Sequence, residues 1–142
     1  MILNQIIDIP QIEKFSCSEL KNIDNLWVNN SNRNFGFSVQ KEIWLKTGNR
    51  LGIKLEDWKD SDTTNYLRFA SEVGWYNDGN KNQSIVRWRD YIKTVGDDPY
   101  SPKVRGGLPG PATSHKSMDA WPERLTAHGN SFLALRLVNC NI

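Results

Sequence analysis

Two short stretches of this sequence combine arginines with aromatic or apolar residues in a way that could bind a flat, acidic ligand. The first is Arg87-Trp88-Arg89, and the second is Arg105-Gly106-Gly107-Leu108-Pro109. Indole, leucine and proline side chains can cover the face of a large ring, while guanidinium groups bind carboxylates at its edge. Glycines beside Arg105 would let the backbone approach such a ligand closely. Spacing alone favours a simpler interpretation of the first stretch, in which Trp88 is buried and both arginines face solvent.

The sequence contains no recognisable catalytic constellation. His115 and His128 lack the spacing of a metal-binding HxxxH pair, and neither cysteine lies in a known motif. The adjacent carboxylates of Asp97 and Asp98 are typical of a solvated turn. Phosphate-binding, dinucleotide-binding and nucleophile-elbow motifs are also missing. We therefore expect a non-catalytic protein with no catalytic residue, no metal ligand and no required cofactor.

The composition narrows the class of protein. The 142 residues suffice for one domain, assigned to residues 1–142 with 1–11 as a lead-in. A net charge of +2 gives no strong long-range attraction to nucleic acid or to a membrane. No run approaches the roughly 20 apolar residues that cross a bilayer, and the first ten residues do not resemble a signal peptide. Cys17 and Cys140 are expected to be reduced, although the sequence leaves a disulfide open.

The elements that must position these stretches are predicted to be helices. Ser16 and Glu19 fit a capping box, and the apolar spacing after them predicts a helix that ends near Val28. Turn-forming glycines at helix ends mark two further boundaries. The other predicted helices run from near Ser38 to Gly48, from Ser61–Thr63 to Gly74, from Ile85 to Val95 and from Ser117 to Leu125, and Ser131 to Val138 is a helix or a strand.

The connections between the predicted helices are polar, and one of them is unusually long. Gly96 to Thr113 contains four prolines and four glycines, which predicts a long loop. Loops of that length inside a compact domain are usually functional or disordered. Asp78 to Asn82 is predicted to be a turn, and Leu51 to Trp58 a short helix or an irregular connection. The predicted fold class is all-α, a single compact helical domain with long loops on the ligand side.

Several blocks of the sequence, taken together, resemble one known family. The most specific is Phe35 to Trp44, which reads FGFSVQKEIW and follows the IDNLWV of Ile23 to Val28. Further matching blocks are Phe15 to Leu20, Phe69-Ala70, Val73-Gly74-Trp75, Arg105 to Pro109 and Leu137 to Asn141. Together, all these blocks resemble the genomes-uncoupled-four family from about Ile12 to the end of the chain.

The resemblance implies an all-helical core shaped like a cupped hand, without the N-terminal helical bundle that the family's best-known members carry. It implies binding of protoporphyrin IX or Mg-protoporphyrin IX on the concave face. Members of the family regulate magnesium chelatase in chlorophyll synthesis and contact its large porphyrin-binding subunit, and they are not catalysts. A location in a cyanobacterial cytoplasm or the plastid stroma is implied as well. Members usually read Gly-His-Leu-Pro where this chain has Gly106-Gly107-Leu108-Pro109.

The residues and the resemblance together give a predicted ligand-binding set. Arg105 is expected to bind a carboxylate at the edge of the ring. Trp75 and Trp88 are expected to line the cup, while Leu108 and Pro109 close over the macrocycle. The full predicted set is Arg105, Leu108, Pro109, Trp75, Trp88, Arg87, Val73 and Phe37.

Two other functions stay open at this point. One is an interaction or signalling module that has the same fold and binds a bilin or no tetrapyrrole. The other is binding of single-stranded nucleic acid through Arg87, Trp88, Arg89 and Tyr91. The near-neutral net charge of +2 opposes the nucleic-acid function, so no nucleic-acid partner is predicted.

Overall fold

A computed structural model of the chain describes residues 7–79, 82–113 and 123–142. Helices dominate these ranges, which confirms the predicted helical class. The helices are α1 (Ile9–Lys14), α2 (Cys17–Asn30), α3 (Phe37–Lys46), α4 (Asp60–Glu72), α5 (Trp88–Asp97) and α6 (Glu123–Asn139). Single 3-10 turns occupy Leu55–Asp57 and Pro102–Val104. Among the helices within the described ranges, none is long and apolar enough to cross a membrane.

Four short strands accompany the helices, and the sequence patterns did not predict them. The strands β2 (Tyr76–Gly79) and β3 (Asn82–Ile85) form an antiparallel hairpin where a turn and the start of a helix were predicted. The helix α5 therefore begins three residues later than Ile85. The two-residue strands β1 (Ile7–Asp8) and β4 (Ala112–Thr113) pair in parallel.

The predicted capping box at the start of α2 is confirmed. The Glu19 N–H donates to Ser16 Oγ at 3.0 Å, and the Ser16 N–H donates to Glu19 Oε1 at 3.3 Å. This reciprocal pair satisfies two amides that the first turn of a helix otherwise leaves without partners. The helix continues to Asn30, two residues beyond its predicted end.

The start of α3 differs from the prediction that Ser38 or a neighbour caps it. Gly36 precedes the helix without a side-chain cap, and the cap comes instead from α2. The Asp24 Oδ1 atom accepts the Ser38 N–H at 2.8 Å and the Ser38 hydroxyl at 3.0 Å. Gly36 has a φ of +131°, and a Cβ there would lie 2.7 Å from both Asp24 Oδ1 and Val28 Cγ2. A glycine is therefore required for α2 and α3 to approach this closely.

Two apolar clusters form the core. The larger one joins α3, α4, the hairpin, α5 and the loop after α5, and it contains the buried rings of Trp44, Phe69 and Trp75. The smaller one joins α1, α2 and α6. Because Leu133, Ala134 and Leu137 of α6 are buried in these clusters, the ambiguous Ser131 to Val138 segment folds as a helix.

Most of the predicted loop from Gly96 to Thr113 is confirmed. Gly96 and Asp97 belong to the last turn of α5, and the 3-10 turn and β4 interrupt the remainder. The predicted helix from Ser117 to Leu125 falls largely outside the described residues, as does His115. The last three residues of that predicted helix, 123–125, form the first turn of α6.

The prediction of two reduced cysteines is wrong, because Cys17 and Cys140 form a disulfide with their Cα atoms 5.3 Å apart. The packing of α1 and α2 against α6 brings the two residues together across a sequence separation of 123 residues. Leu20 and Leu137 are each 1% exposed in that cluster. Local sequence carries no signal of such a distant contact.

His128 is a buried polar residue on α6. Its ring packs edge-on against Phe132 with the centroids 5.0 Å apart, and its Nδ1 atom has no hydrogen-bond partner among the described residues. Burial lowers the pKa of His128, and the negative charge of Glu56 partly opposes that shift. The folded state therefore favours the neutral imidazole.

We predict that Gly36→Ala destabilises the fold by at least about 2 kcal/mol, because the backbone conformation is strained for any side chain and the new Cβ collides with α2. Urea unfolding followed by circular dichroism measures the change. The control is Gly96→Ala, because a Cβ at Gly96 meets no atom within 4 Å. That helical substitution should be neutral or stabilising by about 0.5–1 kcal/mol. Equal losses for the two variants would contradict the proposed close approach.

We also predict that His128 makes stability depend on pH. Its folded pKa lies below its unfolded value of about 6.5, so the unfolded chain binds more protons just below that pH. Its contribution to stability is thus complete above pH 6.5 and is lost as the pH falls toward the lowered pKa. Thermal unfolding at pH 7.5 and pH 5.5 should give a smaller difference for His128→Leu than for the parent. Identical differences would show that His128 does not cause the dependence.

Candidate functional site

The loop from Arg105 to Pro109 is hydrogen-bonded to the segment that opens α3. The Gly36 N–H donates to the Leu108 carbonyl at 2.8 Å, and the Gly106 N–H donates to the Asn34 carbonyl at 2.8 Å. These two bonds hold the backbone of the loop beside the FGFSVQ block. The block therefore positions the loop that carries Arg105.

Gln40 provides the second attachment of this loop. Its side chain is 3% exposed, and Nε2 donates to the carbonyls of Gly106 at 3.1 Å and Pro109 at 3.0 Å. A buried amide that satisfies two loop carbonyls removes their desolvation cost. Sequence reasoning missed this role of Gln40. The available signal was a polar residue between the apolar Val39 and Ile43 on the predicted buried face of α3.

Most of the predicted ligand contacts are interior residues. Phe37 and Val73 are completely buried, and Leu108, Trp75 and Pro109 are at most 3% exposed. Val73, Trp75 and Leu108 share the larger core cluster, whereas Phe37 belongs to the smaller one. The Trp75 indole N–H donates to the Gly107 carbonyl at 3.2 Å. In this conformation these side chains are closed off from solvent.

Arg105 is the member of the predicted set that reaches the surface from this loop. Its side chain is 39% exposed, and its Nη2 atom lies 3.9 Å from Glu42 Oε2, whose side chain is 69% exposed. An ion pair at that distance and exposure is weak. The guanidinium is therefore anchored to a fixed backbone without being committed to a strong partner.

Arg87 and Trp88 lie at the start of α5, away from this anchor point in sequence. Arg87 is exposed and precedes the helix as its N-cap residue. The Trp88 side chain lies outside the described side chains, so its predicted contact with a ligand stays a prediction. The helix reaches the loop through Tyr91, whose hydroxyl donates to the Val104 carbonyl at 3.0 Å.

Tyr91 occupies the space next to Gly107. A Cβ built on Gly107 would collide with the Tyr91 hydroxyl and would lie 2.7 Å from the Val73 carbonyl. Tyr91 is 2% exposed, and burial raises the pKa of its phenol, so the hydroxyl stays protonated and can donate. This packing requires a glycine at position 107.

Asn34 also holds an earlier part of the same loop, Pro99 to Ser101. Asn34 Nδ2 donates to the carbonyls of Pro99 at 2.9 Å and Ser101 at 3.2 Å, while the Asn34 carbonyl accepts from Gly106. Arg33, Tyr100 and Arg105 are each adjacent in sequence to one of these bonded residues. Arg33 is exposed and Tyr100 is 60% exposed. We call Arg33, Tyr100 and Arg105 the arginine surface.

A large concavity lies elsewhere. A cleft of about 880 Å³ runs between the end of α3, α4 and Tyr76. Most of the residues that line it have polar side chains, and the Lys46 ammonium and the Glu72 carboxylate pair there at 3.1 Å. Leu67 and Tyr76 are the two lining residues with large apolar groups, so the cleft offers few partners to a large apolar ring. Of the predicted residues whose side chains the structure describes, none lines it.

The described part of the chain shows no group of three or more His, Cys, Asp or Glu residues placed to hold a metal ion. The strongest charged contact found there is structural. Arg50 forms two hydrogen bonds with the Asp62 carboxylate, at 2.8 and 2.5 Å, and this contact lowers the pKa of Asp62. Asp62 also accepts the Lys59 N–H at 2.9 Å, which caps α4.

We predict that Gly107→Ala destabilises the protein by about 2 kcal/mol or more, because the added methyl group overpacks a closed interior. The same substitution in a Tyr91→Ala background should cost at least about 1 kcal/mol less, since the phenol is the nearest obstacle. Urea unfolding of the four proteins in this cycle measures the coupling. A cost that does not change with the background would contradict the proposed packing.

The chain was then compared with known proteins. A family model described as GUN4-like matches residues 3–106. A protein of Arabidopsis thaliana named tetrapyrrole-binding protein, chloroplastic, is 39% identical over 72 residues, which cover 46% of this chain and 27% of that protein. A Ycf53-like protein of Synechocystis sp. is 50% identical over 44 residues, which cover 31% of this chain and 19% of that protein.

A third relative, the ycf53 protein of Pyropia yezoensis, is 33% identical over 64 residues, which cover 45% of this chain and 21% of that protein. The chain thus spans about a quarter or less of the length of these relatives. No solved structure matches the chain. The family model covers both the FGFSVQ block and the loop residue Arg105, so this chain belongs to the GUN4-like family.

Proposed function

We propose that this chain binds a tetrapyrrole without catalysing a reaction, and that the ligand is protoporphyrin IX or Mg-protoporphyrin IX. Membership of the GUN4-like family supports tetrapyrrole binding, as does the name of the Arabidopsis relative. The absence of catalytic motifs from the sequence supports a binding role. Both porphyrins carry two carboxylates on a flat apolar ring, so a site for them must offer a cation beside an apolar or aromatic surface.

The observation that carries this proposal is the position of Arg105. The backbone next to it is fixed, because Gly106 is hydrogen-bonded to Asn34 and Gln40, and Leu108 is hydrogen-bonded to Gly36. The Arg105 guanidinium is half-exposed and only weakly paired with Glu42. A preorganised arginine loses less freedom when it binds a carboxylate. Bidentate hydrogen bonds between a guanidinium and a carboxylate are also among the strongest in proteins.

The arginine surface supplies the other requirements of such a site. Tyr100 is exposed and can stack on part of the macrocycle, and Arg33 adds a second cation. Burial of a few hundred Å² of ring surface contributes several kcal/mol at about 25 cal/mol per Å². The carboxylates stay at the rim, where contact with water limits their desolvation cost.

The interior residues of the predicted set have an indirect role in this proposal. Phe37, Val73 and Trp75 are buried in the core, and Leu108 and Pro109 are buried residues of the loop itself. For the Trp75 indole to contact a ligand directly, its hydrogen bond to the Gly107 carbonyl would have to break and the loop would have to move away from it. We therefore propose that Arg105 contacts the ligand and that these five residues preorganise it.

Further parts of the proposal concern the setting. We propose the large porphyrin-binding subunit of magnesium chelatase as the protein partner and a regulatory role in chlorophyll synthesis. The location would be a cyanobacterial cytoplasm or the plastid stroma. The chloroplast location in the name of the Arabidopsis relative and the Synechocystis source of another support this setting.

A second function has one observation in its favour. The burial of five of the eight predicted residues suits a module that keeps the family fold but binds a bilin or no tetrapyrrole. Titration with protoporphyrin IX separates the two functions. A saturable shift of the Soret band with one ligand per chain is expected for a porphyrin carrier, and its absence would favour the second function.

We predict that Arg105→Ala weakens binding of protoporphyrin IX about 10- to 100-fold, because one charge-assisted contact to a carboxylate is lost. Glu42→Gln should instead strengthen binding a few-fold, because it removes the carboxylate that competes for the guanidinium. Quenching of tryptophan fluorescence measures both affinities. Circular dichroism should show unchanged helical content in both variants.

Two other cations serve as controls. Lys93→Ala removes an exposed charge that pairs with Asp97 on α5, and it should leave the affinity unchanged. Arg68→Ala removes a cation from the 880 Å³ cleft, and it should also have no effect. A loss with Arg68→Ala but not with Arg105→Ala would move the site to the cleft and contradict the proposed role of Arg105.

A further inference from the structure

The disulfide between Cys17 and Cys140 lies at the surface of the fold. Cys17 is exposed and Cys140 is half-buried against the smaller core cluster, so the disulfide lies at the edge of that cluster. It ties the first residue of α2 to the residue that follows α6. Disulfides are uncommon in the compartments that we propose for this protein, and those found there are usually exchanged during function.

The surroundings of the disulfide favour Cys17 as the sulfur that leaves. Cys17 is the first helical residue of the 14-residue α2, and the positive end of a helix dipole stabilises a thiolate. A guanidinium also lies close by, because Arg136 donates to the Phe15 carbonyl at 2.8 Å. Arg136 precedes Cys140 by one helical turn, since the Cys140 N–H donates to the Arg136 carbonyl.

Cys140 has the opposite electrostatic setting. It follows the last residue of α6, where the carbonyl end of a helix dipole disfavours a thiolate. Exchange is fastest when the sulfur with the lower thiol pKa is the leaving group. The two helix ends therefore assign a direction to the exchange, with attack at Cys140 and departure of Cys17.

We propose that the Cys17–Cys140 disulfide is a reversible exchange site for a protein dithiol reductant. A thiolate of the reductant attacks Cys140 Sγ, which forms a mixed disulfide and releases Cys17 as a thiolate. The second thiol of the reductant then attacks the reductant sulfur that is bonded to Cys140. This step releases Cys140, so that two electrons pass to the protein, the reductant becomes a disulfide, and both cysteines take up protons from the reductant or water.

The structural consequence of reduction is a local loosening at the two joined ends. After cleavage, the start of α2 keeps the Arg136 bond to Phe15 and the buried contact of Leu20. The middle of α2 stays attached to α3 through the Asp24 contacts with Ser38. The larger core cluster contains neither cysteine, so α4 should keep its protection. The proposal concerns the fold alone and does not depend on tetrapyrrole binding.

The test uses the whole oxidised chain and thioredoxin as the dithiol reductant. Without denaturant, alkylation and mass spectrometry should detect two new thiols. The melting temperature should fall on the order of 10 °C, because a cross-link that closes a long loop is lost. Hydrogen exchange should accelerate in residues 16–19 and 138–142 but not in 60–72. Thiol release only after denaturation, or unchanged exchange after reduction, would overturn the proposal.

Two further measurements use matched proteins. The double variant Cys17→Ser, Cys140→Ser should match the reduced parent in hydrogen exchange and should not respond to the reductant. If that variant does not fold, the reduced parent still provides the comparison with the oxidised one. A thioredoxin that lacks its resolving cysteine should trap a mixed disulfide at Cys140. Trapping at Cys17 would overturn the assigned direction.

Discussion

The central constraint in this structure is that a loop rich in glycine and proline is buried and still needs partners for its backbone. A buried carbonyl or amide without a hydrogen bond costs as much as a lost bond. Here Gly36, Gln40 and Trp75 donate to carbonyls of Gly106 to Pro109, while the Tyr91 hydroxyl donates to Val104 just before them. Three separate parts of the chain, at α3, after α4 and in α5, therefore converge on one short segment.

This convergence links the core to the surface. Because the loop is held from below, most of its neighbours are covered, and Arg105 is the cation that it presents to solvent. Trp75 and Tyr91 support the loop through hydrogen bonds to its carbonyls. An arginine on such a support is fixed at its backbone yet has an exposed charge, which suits recognition of a carboxylate. The disulfide separately ties the start of α2 to the end of α6.

Most of the helices, and some of their ends, could be predicted from the sequence. Apolar spacing, the Ser16 capping box and the terminal glycines at Gly48 and Gly74 are local signals, and each corresponds to a local structure. The hairpin was missed because its strands are short and polar, so neither alternation nor β-branched residues mark them. The disulfide was missed because a contact across 123 residues has no local signature.

The candidate site shows the same division. The sequence by itself determined the helical class and the family, and it singled out Arg105 and its glycines as a predicted binding loop. Only the tertiary structure decided that Trp75 and Leu108 are interior, that Gln40 holds the loop and that Tyr91 requires a glycine at position 107. The physical reason is that helix formation follows from neighbouring residues, whereas burial depends on distant elements that pack together and on which of them first fills a given volume.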